Sequence, residues 1–301
     1  MPVRTLPKFR NLRAFLAFLE ERGDLARIAE PVAVALEATE IHRRVIAAGG
    51  PALLFEKPVL ADGRIADTPL LTNLFGTVRR VAWGLGIEPE RLGVLGEALV
   101  ELRNPSPPSG LSDITDRLPL ARAVLNMRPK SDGAPPCQEV VATGAEIDLA
   151  GLPVQTCWPG EPAPLVTWRV VITRPPETDR PAATNAGVYR MQVLGRDRAI
   201  MRWLAPRGGR YHCKWNAKGE DMPVAFAIGT DPTTMLTAAM PLPETVGELT
   251  FAGLMSGERP RLARAVTVPL PVPAEAEFVI EGYVSASETA PEGPYGDHTG
   301  Y

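Results

Sequence analysis

Cysteine is scarce in this 301-residue chain: Cys137, Cys157 and Cys213 are the whole set, an odd number without any C-x-x-C spacing. That excludes a disulfide framework and a thiolate zinc site, and it fits reduced thiols in a cytoplasmic protein. An excess of one charge is lacking too. The net charge is −3, with Lys and Arg scattered along the chain, which leaves no basic footprint for nucleic acid. No apolar run approaches the roughly 20 residues that a membrane span requires, so any membrane contact is expected to be peripheral, at the inner membrane.

Proline, by contrast, is abundant. The 32 prolines are about double the usual share, yet they lie between periodic segments and punctuate a folded chain. With 45% hydrophobic residues the chain can bury a sizeable core, and its length suggests one or two domains.

Residues 1–110 read as a small α/β domain. Asn11 can cap a helix that carries Leu12, Phe15, Leu16 and Leu19 at helical spacing, with Gly23 as its stop. A second helix is expected from Leu36 to Ala48, ended by Gly49-Gly50-Pro51, and strands follow at Ala52–Phe55 and Leu70–Leu74. Pro89 opens a further helix with Leu92, Leu95, Leu99 and Leu102 along one side, before a linker at Pro105–Gly110. Gly76-Thr77-Val78-Arg79-Arg80 invites comparison with a phosphate loop. It lacks the required glycine spacing and reads better as a strand-to-helix turn.

Over residues 111–301 the texture changes to short strands broken by Pro and Gly. Strands are expected at Leu165–Thr173, Gly187–Leu194, Ala199–Leu204, Val224–Ile228, Ala265–Leu270 and Glu277–Val284, with Gly195–Arg198 closing a hairpin. Two helices lie among them, one begun by Asp231-Pro232 and one over Val246–Ser256, closed by Gly257. Such a pattern argues for a barrel-like sheet and an α+β chain.

Chemistry-bearing residues gather in two distant stretches. On a strand from Gly187 to Leu194, Arg190 shares a face with Val188 and Gln192. A half-buried guanidinium needs an anionic partner, because it does not deprotonate and is costly to bury alone. Glu292 and Asp297, on a loop constrained by Gly293, Pro294 and Gly296, are suitable partners.

The wording of these stretches adds more. "TNAGVYRMQ", "IMRWLAPRGG", "GTDPTTMLTAAMPLP" and "SETAPEGPYGDHTGY" together resemble the UbiD family of decarboxylases, and within it the ubiquinone-pathway branch that acts on 4-hydroxy-3-polyprenylbenzoate. The resemblance runs from "NLRAFLAFLEERGDLARI" to the last residue. It implies a split β-barrel like that of flavin reductases after the α/β domain, followed by a further domain used in oligomerisation. The end at Thr299-Gly300-Tyr301 is therefore expected to be a truncation, and the full-length protein a homo-oligomer.

Loss of CO2 from an aromatic or alkenyl acid leaves an electron pair on an sp2 carbon that Glu, Asp and Arg cannot delocalise, so an electron-accepting cofactor is needed. The resemblance names it as prenylated FMN, supplied by a flavin prenyltransferase, with a divalent cation, usually Mn2+, and a monovalent cation such as K+. Carried over by position, Asn185 and Glu248 match the metal ligands, hard oxygen donors suited to such an ion. Val188, Tyr189, Arg190, Arg202, Trp203, Leu204, Arg207 and Gly208 match the flavin-binding positions. Arg190, Glu292 and Asp297 match the catalytic trio, with Asp297 as proton donor.

One departure stands out. Pro206 occupies the place where most members carry a metal-binding histidine, and its side chain has no donor atom; His212 is the nearest substitute. A second hypothesis follows, that of a flavin-binding or assembly protein without turnover. A glycosidase using Glu292 and Asp297 as its acid pair is a weaker third, since sugar-stacking aromatics are few.

Overall fold

Asn11 starts the first helix as its side chain suggests, the amide oxygen accepting from Ala14 N–H at 3.0 Å. The computed structural model describes residues 4–103, 123–180, 183–203, 208–242 and 246–296. Helix α1 (Leu12–Glu21) buries Leu12, Phe15, Phe18 and Leu19, and Gly23 follows it at a φ of 67°. Strand β1 (Leu25–Ala33) runs parallel to β2 (Ala52–Val59), with α2 (Glu37–Ala47) between them, and β3 (Leu70–Thr72) pairs antiparallel with β2. The sequence gives little sign of β1. Polar residues and Pro31 interrupt its alternation, and its register with β2 shifts between Ile28 and Pro31.

Helix α3 (Val78–Gly84) is capped by Thr77, and both arginines of its first turn go to one carboxylate. Asp24 Oδ1 accepts from Arg79 Nη2 at 3.0 Å and from Arg80 Nη1 at 3.2 Å. Arg80, fully buried, also donates to the Leu74 and Gly50 carbonyls. Gly76–Arg80 is thus the plain strand-to-helix turn. Helix α4 (Leu92–Arg103) follows a single turn at Pro89–Arg91 and buries Leu95. The expected linker at 105–110 lies outside the described residues.

The second part corrects three strand assignments. Leu165–Thr173 is two strands, β5 (Leu165–Val166) and β6 (Val170–Thr173), once β4 (Lys130–Ser131) is counted before them. Gly187–Leu194 likewise divides into β7 (Asn185–Gly187) and β8 (Met191–Val193). β5 pairs with β8 and β6 with β7, so one antiparallel ribbon bends and passes from one sheet into another. Apolar alternation continues through a bend, which is why periodicity showed single strands. Ala265–Leu270, expected as a strand, is the turn between β11 (Arg261–Arg264) and β12 (Pro271–Pro273). Ala265, Val268 and Leu270 are buried as a core cap, while the Val266 and Thr267 N–H groups donate to Glu281.

The hairpin forms as expected, β8 against β9 (Ala199–Met201). β10 (Met222–Ile228) lies between β6 and β13 (Phe278–Val284), giving a four-stranded sheet in the order β13-β10-β6-β7. Helix α5 (Gly208–Asn216) was not foreseen; α6 (Pro232–Ala238), capped by Asp231, and α7 (Glu248–Ser256), closed by Gly257 at a φ of 71°, were. The chain is α+β with small sheets, none of which closes into a barrel among the described residues.

At the bend the ribbon buries Arg169, 1% exposed. Its guanidinium lies 5.3 Å from the Phe226 ring centroid and donates to the Val166 carbonyl, but Nε has no partner and no carboxylate among the described residues pairs with it. Burial pulls its pKa down to about 9. An unpaired charge among apolar groups opposes folding, so Arg169→Met is expected to raise stability by about 1–2 kcal/mol in urea unfolding. A loss of stability would reveal an anionic partner for Arg169.

Candidate active site

The irregular segment Val188-Tyr189-Arg190 lies at the same bend, between β7 and β8. Arg190 is therefore not a strand residue sharing a face with Gln192, as expected, but projects from the break. Its partner is Glu292: Nε donates to Oε1 at 2.9 Å and Nη2 to Oε2 at 2.8 Å, a two-pronged charge-assisted contact across 102 residues. The Glu292 side chain is 11% exposed and that of Arg190 27%, so the pair is shielded from solvent far more than a surface bridge. Arg202 Nη1 stands 4.0 Å from Glu292 Oε2 on an exposed side chain, a weaker contact.

Tyr295 was not singled out, although it stands inside the loop motif. Its ring faces the Arg190 guanidinium at 5.5 Å and its hydroxyl donates to the Ala163 carbonyl at 3.3 Å. Burial, with the charges of Glu161 and Glu292, pushes its phenol up to about 12 against the opposing pull of Arg190. Asp297, Leu204, Pro206 and Arg207 lie outside the described residues.

On the other side of the bend, Tyr189 and Trp203 meet edge to face at 5.1 Å. Gly208 N–H, at the start of α5, donates to the Tyr189 hydroxyl at 3.3 Å. No side chain fits at Gly208, since a Cβ would stand 2.7 Å from the Trp203 ring; at Gly187 it would stand 2.7 Å from the Tyr189 ring. Both glycines are buried against these rings, and the buried Trp203 Nε1 has no partner. Val188 packs against the main core.

Glu248 meets the strand that carries Asn185. Asn185 is 6% exposed on the edge strand β7, and Glu248, 4% exposed at the first turn of α7, accepts from the next residue's Ala186 N–H at 2.9 Å. The Asn185 Nδ2 is buried without a partner. Since amide orientation is assigned by surrounding bonds, an amide turned over would place an oxygen at that unsatisfied point. Among the described residues no group of three His, Cys, Asp or Glu side chains gathers. His212 Nε2 is instead 3.2 Å from the Ser285 carbonyl, and its ring neighbours Trp203.

The model for the 3-octaprenyl-4-hydroxybenzoate carboxy-lyase Rift-related domain, UbiD, matches residues 128–301, and that for the N-terminal domain of the same enzymes, UbiD_N, matches residues 16–99. The chain belongs to the UbiD family. UbiD-class structures superpose along nearly all of it. HmfF from Pelotomaculum thermopropionicum in complex with FMN is 29% identical with a TM-score of 0.78, over 97% of this chain and 58% of HmfF. An evolved dimeric form of HmfF in complex with prFMN is again 29% identical, TM-score 0.79, over 97% of this chain and 61% of that one. The apo 3,4-dihydroxybenzoic acid decarboxylase of Enterobacter cloacae is 26% identical with a TM-score of 0.71, over 92% of this chain and 54% of the enzyme. The chain thus spans between 54% and 61% of the length of these UbiD-class relatives. Among the described residues no helix is long and apolar enough to cross a membrane.

Proposed function

We propose that this chain carries the flavin-binding and catalytic part of a prenylated-FMN-dependent carboxy-lyase that removes CO2, reversibly, from an aromatic or alkenyl carboxylic acid. A polyprenylated 4-hydroxybenzoate is the leading substrate. The observation that carries this is the shielded Arg190–Glu292 fork set at the ribbon bend beside the Tyr189–Trp203–Gly208 cradle. The HmfF complexes with FMN and prFMN support the cofactor, and the dihydroxybenzoic acid decarboxylase supports a ring-bearing acid as substrate class. The α/β part, residues 1–110, would then serve the catalytic part, residues 111–301. A cytoplasmic homo-oligomer, supplied with cofactor by a flavin prenyltransferase and touching the inner membrane only peripherally, completes the proposal.

The residues present fit the cofactor. Trp203 offers a buried Nε1–H without a partner, and the N–H groups at the start of the nine-residue α5, with Arg207 just before it in the sequence, suit a phosphate. With its amide turned over, the Asn185 oxygen together with the Glu248 carboxylate would suit Mn2+, and K+ is its expected companion. Bound there, prenylated FMN supplies the electron sink that the carbon losing CO2 requires. Arg190 orients Glu292 through its two-pronged contact. Asp297 is assigned as the proton donor. The flavin-binding protein without turnover remains the alternative. It gains no support from a fork that is intact.

Manganese binding tests the metal assignment directly. Asn185→Ala and Glu248→Gln are each expected to weaken Mn2+ affinity by about tenfold or more, read by titration with flavin present. Pro206→His is expected to tighten it, by restoring a nitrogen donor. His212→Ala is expected to change nothing, because its Nε2 faces the Ser285 carbonyl. Unaltered affinity in both ligand variants would remove Asn185 and Glu248 from the ion.

A further inference from the structure

Residues 157–163 form a shelf beneath the Glu292 loop. Glu161 Oε2 accepts from the backbone N–H groups of Cys157 at 2.6 Å and Trp158 at 3.1 Å, while Glu161 N–H returns to the Trp158 carbonyl at 3.3 Å. One carboxylate oxygen therefore closes the whole turn. The other oxygen, Oε1, is buried without a partner.

The shelf touches the loop at two points. The Trp158 indole lies so close to Gly296 that a Cβ there would be 2.6 Å from Cδ1 and 2.8 Å from Nε1. Ala163 accepts from the Tyr295 hydroxyl, and the Tyr295 ring backs the Arg190 guanidinium. The shelf is itself tied down from behind. Leu165 N–H donates to the Gln155 carbonyl at 2.9 Å, Leu36 N–H donates to the Thr156 carbonyl at 2.9 Å, and Gln155 Nε2 donates to Thr39 Oγ1 at 3.2 Å. A loop with Gly293 at a φ of 77° and Gly296 lacking a side chain has little stiffness of its own. Its order must come from what it rests on.

We propose that Glu161 is a positioning residue for the Arg190–Glu292 pair, acting through the shelf that seats Trp158 against Gly296 and Ala163 against Tyr295. Its role in turnover rests on the function proposed above; its role in ordering the loop does not. The carboxylate is needed as a double acceptor rather than as a charge. Glutamine, whose amide oxygen accepts the same two N–H groups, should replace it, whereas alanine should not.

The test compares wild type, Glu161→Ala, Glu161→Gln and Trp158→Ala in the full-length protein. Without cofactor, amide exchange at 292–296 is expected to quicken about tenfold in Glu161→Ala and Trp158→Ala, with exchange in α7 unchanged and Glu161→Gln close to wild type. With prenylated FMN bound, the two alanine variants should lose about tenfold or more in kcat while KM and flavin affinity stay constant, since a slight misplacement of catalytic groups costs rate rather than binding. Trp158→Ala leaves the Glu161 turn intact, so it covers the case in which Glu161→Ala does not fold. Unchanged exchange at 292–296 in the alanine variants would overturn the proposal. Inactive wild type would overturn the proposed function instead, with the exchange data still deciding on Glu161.

Discussion

Glu292→Gln is expected to lower kcat by about 100-fold or more while prenylated FMN stays bound. The fork explains the size of the effect. Arg190 presents Nε and Nη2 to two carboxylate oxygens at 2.9 and 2.8 Å, and glutamine offers one oxygen with an NH2 group in place of the other. A donor then faces a donor, the neutralising charge is gone, and the guanidinium turns away from its set direction. Asp297→Asn should lose as much by a different route, because an amide keeps the shape and has no transferable proton. Steady-state decarboxylation by the full-length enzyme, with flavin absorbance as the check on loading, measures both. Near wild-type turnover by Glu292→Gln would leave the fork as an architectural feature and favour a role for the scaffold without catalysis.

Asp24→Ala is expected to destabilise the N-terminal part by about 3–5 kcal/mol. Arg80 is fully buried, and Asp24, 4% exposed, is the carboxylate that meets it. Removing that carboxylate leaves a charge inside the protein among the Leu74 and Gly50 carbonyls, which cannot neutralise it. Arg79 offers an internal control. It binds the same carboxylate, but its side chain is 51% exposed, so Arg79→Ala should cost no more than about 1 kcal/mol. Urea unfolding of the three proteins gives the comparison, and an Asp24→Ala variant within 1 kcal/mol of wild type, about the size of a surface effect, would show that water or rearrangement relieves Arg80.

Much of the backbone was legible because its causes are local. Asn11, Asp231 and Gly257 act on helix ends a few residues away, and each does in the structure what its side chain, or its lack of one, dictates. Strand limits were less legible at the ribbon bend. Leu165–Thr173 and Gly187–Leu194 each read well enough as a single strand, and only the opposition of β5 with β8 and β6 with β7 shows that both strands change sheet together. The turn at 265–270 misled for a related reason, since Ala265, Val268 and Leu270 are apolar to cap a core rather than to line a strand. Helix α5 went unnoticed because two glycines open it.

The candidate site divides the same way. Residue types pointed to Arg190 and Glu292 as partners, since a guanidinium in a partly apolar stretch is costly without an anion, whereas Asn185 and Glu248 were named only through the resemblance to the UbiD family. Which atoms meet was beyond the sequence. Arg190 reaches Glu292 across 102 residues, and Glu248 reaches Ala186 across 62. Contacts of that range depend on how helices and sheets pack, and one-dimensional spacing carries no record of it. Glu161, Trp158 and Tyr295 illustrate the point most sharply. Nothing in the sequence marks them out, and only packing sets Trp158 against Gly296 and Tyr295 against Arg190.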